Sequence, residues 1–487
     1  MANSIWEQKI APGVETYVCR PADPAVRGAR DFPVTGCDQA MPKIHARIAI
    51  YYKLAESSEE SRRNIVTSLK TGLENLASQV PCLTATAAVD PVSKRGTLRT
   101  MGDDDGVLFL VTGSTTVRSD LPSYAELERE RFGPWKLPKG ATYPEGLINP
   151  LTSIEGHQSG LPGCIFQLNF IDGGVILTAC FHHYVADGPS VNNIFHAWGA
   201  HCRGLPCVDL FTDRTILINP EPAPQSEVPE LERRMTAHGC MVDSTKADPN
   251  NPWSNVLGPP VKTAIASFPR DKVAALKDEV AAKRFARVST HDCFQAILWW
   301  GLVRAKSVLG QDEGVETSTS LFPVSFRSNY NPEFPKNYIG NGTLFNGAKL
   351  PIATLKSSEG LLDAAVALRN VIQNVDATFV KDAKAWLSSI EEPATRTWMT
   401  SPPRKMDAAV TSWACLDYHT WDIGFGPATC IRPPVSPIPF LFPMPGRTDN
   451  DGDEILEAGI AVDEKVHEML MQDAEFAQYV KDYYLQP

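Results

Sequence analysis

The pattern of apolar and polar residues is clearest in the middle of the chain, where it predicts a hairpin followed by a helix. Residues 164–171 alternate apolar and polar positions, which is typical of a strand with one buried face. After an Asp-Gly-Gly turn, residues 175–181 are almost continuously apolar, as in a strand buried on both faces. Pro189 suits the first turn of a helix. The apolar residues after it recur at helical spacing: Val191, Ile194, Phe195 and Trp198.

The same two periodicities predict elements on either side of this hairpin. Strands are predicted over 44–53, 107–111, 262–268, 317–326, 410–416 and 457–462. Helices are predicted over 61–77, 124–131, 270–282, 361–375 and 465–480. A further helix begins at Ser289, which is spaced from Asp292 as in a capping box. Strands and helices alternate irregularly, so an α/β protein with mixed sheets is favoured over a doubly wound parallel sheet.

Residues 219–260 differ from the rest of the chain, because they contain eight prolines among polar and charged residues. A loop of this length is unusual inside one compact domain, so we interpret it as a long crossover that leaves room for a local helix at 234–239. A chain of 487 residues is also too long for one core. We therefore predict an N-terminal lobe over 1–218, a crossover linker over 219–260 and a C-terminal lobe over 261–487.

The composition limits the classes of protein to consider. Apolar residues make up 43% and charged residues 21%, and the net charge is −11, which argues against a nucleic-acid partner. The 11 cysteines are odd in number and scattered, so reduced thiols are expected and no zinc spacing is found. The first residues resemble no secretory signal, and no apolar stretch is long enough to span a membrane. We expect a cytoplasmic protein with no membrane partner and no metal site.

The strongest candidate for chemistry is His183, which lies where the second strand of the hairpin ends. A neutral imidazole in a cleft is the commonest general base. Asp187, four residues on, could hold the imidazole directly, could anchor the turn to an arginine, or could form a purely structural pair. His182 points to the opposite face of the strand and is expected to be buried, so a metal site made of the two histidines is disfavoured.

A second candidate segment has the sequence Asp-Ile-Gly-Phe-Gly at 422–426. Its two glycines indicate a tight loop that lets the backbone approach another group closely. A nucleotide-binding loop is disfavoured, because the third glycine and the following helix are missing. A structural turn remains the plain alternative.

The two motifs, His-His-x-x-x-Asp-Gly at 182–188 followed by Asp-Ile-Gly-Phe-Gly at 422–426, resemble those of the BAHD-type acyl-CoA-dependent acyltransferases. The resemblance is greatest to the fungal secondary-metabolite branch, which includes the trichothecene O-acetyltransferases. Four further segments are similar to the family: 69–85, Ser-Thr-x-Asp to Leu-Trp-Trp at 289–300, Arg327 with Tyr-Ile-Gly-Asn at 338–341, and Thr-Ser-Trp at 411–413. Two departures occur: Ile423 and Phe425 replace the aromatic residues of the family's second motif, and Asn329 stands where a second arginine is common.

The resemblance implies a two-lobe fold like that of chloramphenicol acetyltransferase, in which each lobe is a mixed β-sheet with helices and a long crossover joins the lobes. It also implies that Asp187 faces away from the substrate and pairs with an arginine, for which Arg327 is the candidate. Asp422, Gly424 and Gly426 would form a structural motif away from the reacting atoms, so the changes inside that motif do not threaten catalysis.

The resemblance further implies direct acyl transfer in a ternary complex. His183 would take the proton of an acceptor hydroxyl as its oxygen attacks the thioester, and would return it to the coenzyme A thiolate. The donor that stabilises the oxyanion is left open, with Thr411, Trp413 and nearby backbone amides as candidates. No Gly-x-Ser-x-Gly sequence offers a nucleophile.

Coenzyme A is strongly anionic, so an acidic chain needs a local basic region to bind it. Basic residues crowd 262–287 and lead into the capped helix, whose free amides suit a phosphate. We expect the coenzyme to contact Lys262, Lys283, Arg287, Ser289, Thr290, Thr411, Ser412 and Trp413. For any single lysine, a solvated helix face is the plain alternative.

The function expected from the sequence is acyl-CoA-dependent O-acyl transfer, with acetyl-CoA as the co-substrate, to a hydroxyl of a small natural product. Such an enzyme would be a cytoplasmic monomer whose partners are acyl-CoA and a small-molecule alcohol. Other readings remain open: N-acylation, a condensation or cyclisation with His183 as the base, or a binding protein without activity.

Overall fold

Several mixed sheets covered by helices form the protein, which confirms the predicted α/β class. The computed structural model describes residues 10, 13–143, 147, 160–219, 221–240, 260–328, 330–391, 393, 405–436, 438–449 and 451–487. Its strands are β1 (Glu15–Cys19), β2 (Arg30–Phe32), β3 (His45–Lys53), β4 (Thr86–Val89), β5 (Gly96–Thr100), β6 (Val107–Thr112), β7 (Leu161–Pro162), β8 (Cys164–Ile171), β9 (Gly174–His182), β10 (Val261–Pro269), β11 (Thr317–Ser325), β12 (Thr343–Pro351), β13 (Ala408–Ala409), β14 (Cys430–Arg432), β15 (Phe440–Pro443), β16 (Arg447–Thr448), β17 (Glu454–Asp463) and β18 (Asp482–Leu485).

The helices range from single turns to more than five turns. They are α1 (Gly36–Gln39), α2 (Glu59–Gln79), α3 (Tyr124–Arg129), α4 (Lys139–Thr142), α5 (Gly188–Cys202), α6 (Val228–Ala237), α7 (Arg270–Arg284), α8 (Thr290–Val308), α9 (Ile352–Leu355), α10 (Gly360–Gln373), α11 (Ala377–Ser388), α12 (Glu464–Gln472) and α13 (Ala474–Ala477). Among the described helices, none combines the length and the apolar character needed to cross a membrane.

The predicted hairpin forms the centre of a six-stranded sheet in the order β1-β6-β8-β9-β3-β14. β8 and β9 pair antiparallel, and Gly173 turns the chain between them with a φ of 73°, a conformation that favours glycine. Every residue of both strands is buried. The register opposes the end of β9 to the start of β3, so His182 faces His45 across the sheet.

The prediction that β8 buries only one face is wrong. Its polar residues Gln167 and Asn169 are buried as well. The side-chain amide of Gln167 donates to the carbonyl of Gly140 at 2.6 Å, and that of Asn169 donates to the carbonyl of Ala141 at 3.2 Å. Buried amides are tolerated when their hydrogen bonds are satisfied, so α4 covers a face that the alternation assigned to solvent.

A strand from late in the chain completes the six-stranded sheet. β14 pairs antiparallel with β3, with Cys430 opposite Tyr51 and Arg432 opposite Ala49. The chain then enters a second sheet, in the order β15-β17-β10-β18 with β16 also paired to β17. Two smaller sheets have the orders β12-β11-β13 and β2-β5-β4-β7. The sheet built mostly from the predicted N-terminal lobe therefore includes a strand from the predicted C-terminal lobe.

Helix α5 leaves the end of β9 and packs along α2. The indole N–H of Trp198 on α5 donates to the carbonyl of Leu69 on α2 at 3.2 Å. Residues from late in the chain cover the other side of α5. Trp421 stacks on Phe195 with ring centroids 4.3 Å apart, and its indole N–H donates to Asn192 Oδ1 at 2.9 Å. Segments from early and from late in the sequence thus both hold α5 in place.

One predicted strand is missing, and the last predicted helix is shorter than expected. The strand predicted over 410–416 is not formed: β13 ends at Ala409, before the predicted strand begins, and Val410 adds only a single bridge to Leu441 before the chain turns away. The last helix ends at Gln472 because the side chain of Asp473 accepts the N–H of Glu475 and starts the short helix α13. Aspartate side chains compete with the helix in this way when they bind nearby backbone amides.

Several elements were missed because they are short or lie where the sequence lacks a clear period. The strands of the sheet β2-β5-β4-β7 are two to five residues long. Within the predicted crossover, α6 extends further towards the N-terminus than the local helix expected at 234–239, and buries Leu231 and Met235. Residues 220 and 241–259 of the crossover lie outside the described residues. The start of α11 had a signal, since Asp376 caps it by accepting the N–H of Phe379 at 2.9 Å.

Gly199 on α5 provides a test of this packing. A Cβ built on Gly199 would lie 2.4 Å from the backbone carbonyl oxygen of Asp422. Gly→Ala normally stabilises a helix, but here the clash must move backbone, so we expect Gly199→Ala to lower the free energy of unfolding by about 1–3 kcal/mol. Urea unfolding followed by circular dichroism would measure it. Gly102→Ala, where a Cβ meets nothing within 4 Å, serves as the control. An unchanged or raised stability of Gly199→Ala would contradict the expected clash.

Candidate active site

His183 follows the last residue of β9 and begins the turn into α5. Its backbone N–H donates to the carbonyl of Ile44 at 3.1 Å, and its carbonyl accepts the side-chain amide of Asn341. The ring is half-buried, whereas His182 is fully buried and its Nδ1 accepts the N–H of Tyr184 at 3.1 Å. Of the two adjacent histidines, His183 is the one that solvent reaches.

The environment of His183 keeps its ring neutral. Burial lowers the pKa of His183 to about 4, and the Asp187 carboxylate and the Ala186 backbone oppose part of that shift. At pH 7 the ring therefore keeps a lone pair free to accept a proton. Its Nδ1 is buried and forms no hydrogen bond of good geometry with the described residues. The other nitrogen, Nε2, is then the one that a substrate can reach.

Asp187 caps α5 and does not hold the imidazole. Its Oδ1 accepts the N–H of Ser190 at 3.0 Å. Its Oδ2 accepts the N–H of Gly342 at 2.9 Å and Nη1 of Arg327 at 2.8 Å. The Asp187 and Arg327 side chains are each only 5% exposed. Because both carboxylate oxygens are occupied in this way, Asp187 fixes the turn that carries His183.

Arg327 joins the start of α5 to the segment before β12. Besides Asp187, its guanidinium donates from Nη2 to Ser190 Oγ at 3.1 Å and to the carbonyl of Tyr338 at 2.9 Å. A Cβ built on Gly342 would lie 2.8 Å from Arg327 Nη1, so the glycine allows the close approach of the two segments. The Tyr-Ile-Gly-Asn-Gly sequence is thus the surface on which the guanidinium lies.

A second buried ion pair, which the sequence did not reveal, lies behind the His183 turn. Arg214 Nη2 lies 2.7 Å from Asp38 Oδ1, and both side chains are almost completely buried. Arg214 also donates to the carbonyl of Tyr184 at 2.6 Å. The amide of Asn341 donates both to Asp38 Oδ1, at 2.7 Å, and to the carbonyl of His183. The backbone of the turn is therefore held by ion pairs on both sides.

The Thr-Ser-Trp segment lies beside the start of α5. The N–H groups of Thr411 and Trp413 donate to backbone carbonyls of β15 at 2.9 Å and 2.8 Å. Ser412 Oγ accepts the N–H of Ala414 at 3.3 Å. The side chains of residues 411–413 are half-buried, so they are open to a ligand. Two residues further on, Cys415 Sγ lies 3.9 Å from where a Cβ of Gly188 would be.

The capped helix α8 begins near the end of the β12-β11-β13 sheet at which Arg327 lies. On α8, Gln295 donates to Ser320 Oγ at 3.2 Å and Trp299 donates to Ser318 Oγ at 2.9 Å. The helix therefore runs antiparallel to β11, which leads into Arg327. The capping box is formed, since Ser289 Oγ accepts the N–H of Asp292 and Asp292 accepts that of Ser289. Ser289 and Thr290 are half-buried.

The basic residues expected to bind the coenzyme differ in their availability. Lys262 lies 2.8 Å from Glu464, and Lys283 lies 2.8 Å from Glu279. Arg287 is exposed and has no carboxylate partner among the described residues. No contact within the described part of the chain joins these three side chains to His183. Two of the three are thus engaged in surface ion pairs, and Arg287 is the one whose charge is available.

The Asp-Ile-Gly-Phe-Gly segment forms a closed loop at the far end of α5. Oδ1 of Asp422 accepts the N–H groups of Gly424 and Gly426 at 2.9 Å and 3.0 Å, and both glycines have positive φ. Oδ2 of Asp422 lies 3.4 Å from Arg203 at the end of the helix. The 15 residues of α5 place this loop about 22 Å from Asp187.

Comparison with known proteins places this geometry in a family. Residues 13–475 match the model of the Transferase family. The acyltransferase easC of Emericella nidulans is 25% identical over 482 residues, which cover 92% of this chain and 94% of that protein. Tryptamine hydroxycinnamoyltransferase 2 of Oryza sativa is also 25% identical, over 56% of this chain and 61% of its own length.

The fold has close counterparts among solved structures. F. graminearum TRI101 complexed with coenzyme A and deoxynivalenol superposes with a TM-score of 0.75 at 19% identity, covering 93% of this chain and 99% of that one. Vinorine synthase superposes with a TM-score of 0.62 at 17% identity, covering 96% and 98%. These structures confirm the acyltransferase-type fold expected from the resemblance. The chain belongs to the Transferase family of BAHD-type acyltransferases and is an enzyme of acyl transfer.

Proposed function

We propose that the protein transfers an acyl group, acetyl in the first instance, from acyl-CoA to a hydroxyl of a small natural product. The observation that carries the proposal is the state of His183, which is neutral, half-buried and open at Nε2. Its backbone is held between the Asp187–Arg327 and Asp38–Arg214 ion pairs. A base positioned so firmly needs little reorganisation when the reaction occurs.

The reaction needs a base because the pKa of an alcohol lies far above 7. His183 Nε2 takes the hydroxyl proton while the oxygen forms a bond to the thioester carbonyl carbon. The tetrahedral intermediate then collapses, the carbon–sulfur bond breaks, and the imidazolium returns the proton to the leaving thiolate. The base begins and ends each cycle neutral, and no acyl-enzyme is formed.

Asp187 is a positioning residue in this mechanism. Its carboxylate accepts three hydrogen bonds from Ser190, Gly342 and Arg327 and is therefore fully used in holding the turn. The Thr-Ser-Trp segment beside the start of α5 is proposed to supply the oxyanion donor, from the backbone or from the indole N–H of Trp413.

Coenzyme binding is proposed at the start of α8. Arg287 supplies an available charge, and Ser289 and Thr290 lie at a helix N-terminus, where the macrodipole favours phosphate. Lys262 and Lys283 contribute only when each ammonium group leaves its glutamate partner and binds phosphate oxygens instead. The enzyme is proposed to work as a cytoplasmic monomer on acyl-CoA and a small alcohol.

Transfer to nitrogen is the second candidate. Its support is that relatives include tryptamine hydroxycinnamoyltransferase 2 and an N-hydroxycinnamoyltransferase from Avena sativa. A neutral amine attacks a thioester without prior loss of a proton, so it depends less on His183 than an alcohol does. Incubation with labelled acetyl-CoA and matched panels of small alcohols and amines distinguishes the two. Labelled ester with release of free coenzyme A supports the proposal, and labelled amide alone would replace it with N-acylation.

Removal of the base is the most direct test of the mechanism. We expect His183→Ala to reduce kcat roughly 10²–10⁴-fold while the thermal midpoint stays unchanged, because only the proton acceptor is lost. Coupled release of coenzyme A would be measured in parallel with thermal unfolding. His238→Ala, which removes a ring that contacts Phe379, is the control and should keep its activity. Full turnover by His183→Ala would exclude the imidazole as the base.

The acid limb of the pH–rate profile is a second test. A folded pKa of about 4 for His183 keeps the base neutral, so kcat/KM should stay flat between pH 5 and 8 and fall only below that range. Burial depresses this pKa, so His183 also favours the folded state above pH 6.5, and this contribution declines as the pH falls towards 4. Rates measured after brief acid incubation and return to pH 7 would separate titration from unfolding. A midpoint between pH 6 and 7 would contradict the burial effect.

The role of Asp187 gives a third test. Asp187→Ala leaves the Arg327 charge buried without its partner, so we expect lost activity together with a fall of about 3–5 kcal/mol in the free energy of unfolding. Asp463→Ala removes only a helix cap and should cost about 1 kcal/mol. Chemical denaturation of both variants measures the difference. An inactive Asp187→Ala of unchanged stability would instead give the carboxylate a direct part in the chemistry.

A further inference from the structure

A cleft of about 580 Å³ lies between the two large sheets. One wall includes Lys53 at the end of β3 and Arg432 of β14, which belong to the six-stranded sheet. The facing wall includes Arg270, which follows β10, and Arg447 of β16, which belong with the other sheet. Its volume is within the usual range for small-molecule sites.

This cleft lies away from the candidate active site. Lys53 is opposite Gly174 at one end of the β3–β9 pair, and His45 is opposite His182 at the other. The eight-residue separation corresponds to about 26 Å along the strand. The region proposed to bind coenzyme A also lies away from the cleft, because Lys262 is near the start of β10 whereas Arg270 follows the end of that strand.

The charge of the cleft is opposite to that of the protein as a whole. The net charge of the chain is −11. The cations of the lining outnumber its carboxylates: Lys53, Arg131, Arg270, Arg432 and Arg447 against Glu128 and Glu454. A concentration of positive charge in a concave, partly enclosed site attracts anions more strongly than the same charges spread over a surface.

Part of this positive charge has no internal partner. Glu457 is buried and is shared by Arg432 and Arg447, with oxygen–nitrogen distances of 3.0 Å and 2.8 Å. One carboxylate cannot balance two guanidinium groups. Arg432 is 2% exposed, and its Nε is buried with no acceptor among the described residues. Lys53 has no carboxylate partner there either, and its ammonium lies 5.5 Å from the centre of the Tyr124 ring.

Arg131 is held at the cleft by strained backbone. Arg131 and Phe132 have φ of 56° and 53°, so two consecutive residues other than glycine adopt the left-handed conformation. The carbonyl of Arg131 accepts Nη2 of Arg432 at 3.0 Å, which ties the strained turn to the lining. Such strain is kept where the surrounding structure enforces it, often at ligand sites. The side chain of Arg131 has no carboxylate partner within the described part of the chain and lies 5.8 Å from the Tyr484 ring centre.

We infer that the cleft binds a small polyanion with at least two negative charges, carried by phosphoryl or carboxylate groups, and that this ligand bridges the two sheets. Guanidinium groups bind both kinds of oxyanion in a bidentate manner. The bound anion would neutralise the excess charge shared around Glu457 and would join Lys53 and Arg131 to Arg270 and Arg447. Occupancy then stabilises the contact between the sheets by mass action.

Pyrophosphate and citrate are suitable probes for the phosphoryl and carboxylate forms of the ligand. Calorimetry at constant ionic strength should detect saturable binding of one of them with a rise in the thermal midpoint of the full chain. In Lys53→Gln/Arg131→Gln, where no native ion pair is lost, we expect affinity to fall about tenfold or more. The control, Lys70→Gln/Arg233→Gln, removes one exposed lysine and one exposed arginine elsewhere and should bind as the unmodified protein does.

Coenzyme A carries phosphates itself, so the titration is repeated at saturating coenzyme A. Undiminished probe binding supports a separate site, whereas competition together with a raised KM for acyl-CoA in the Lys53→Gln/Arg131→Gln variant would assign the cleft to the coenzyme. Equal binding by both variants, or no saturable binding of either probe, would also overturn the inference. None of these outcomes depends on His183, whose variant tests the proposed reaction separately.

Discussion

The buried pair between Asp187 and Arg327 is the interaction on which the site depends. It lies where three elements meet: the end of β9, the start of α5 and the segment that enters β12. An ion pair away from water is favourable only when most of its remaining donors and acceptors are satisfied. Here Ser190, Tyr338 and Gly342 satisfy all of them except Arg327 Nε, which is buried without an acceptor among the described residues. A displacement of any of these elements would therefore also displace the turn that carries His183. The geometry of the His183 turn follows from the geometry of this junction.

Local pattern was enough to predict the central hairpin, the turn and the helix after it, because the apolar strand patterns, the Asp-Gly-Gly turn and a proline in the first helical turn all act over a few residues. The motif resemblance supplied Arg327 as the partner of Asp187. The Asp38–Arg214 pair could not be found in this way. Its residues lie far apart in sequence, each in a helical segment of only four residues, and only folding brings them together behind Tyr184. Its one local signal was the capping box from Thr35 to Asp38.

The less successful predictions concern elements and charges whose state depends on neighbours. Residues 411–413 have a strand-like sequence, yet they donate to β15 only through alternate amides before the chain turns to follow α5. Lys262 and Lys283 stood out as cations, but sequence does not show that Glu464 and Glu279 lie against them. Propensity and charge are properties of single segments, whereas pairing is a property of the folded chain. Surface residues are accordingly the hardest to assign, and core patterns the easiest.

The place of β14 in the six-stranded sheet bears on how this protein is made. During synthesis β3 leaves the ribosome hundreds of residues before Cys430–Arg432, the strand that covers its edge. Until then the β3 backbone presents unpaired amides and carbonyls, which are a template for association with other chains. The six-stranded sheet therefore cannot be completed until residues 430–432 have been synthesised, so the edge of β3 is exposed for most of translation. A chain that ended before residue 430 would keep this edge of β3 open, which favours aggregation even though most of the sheet is present.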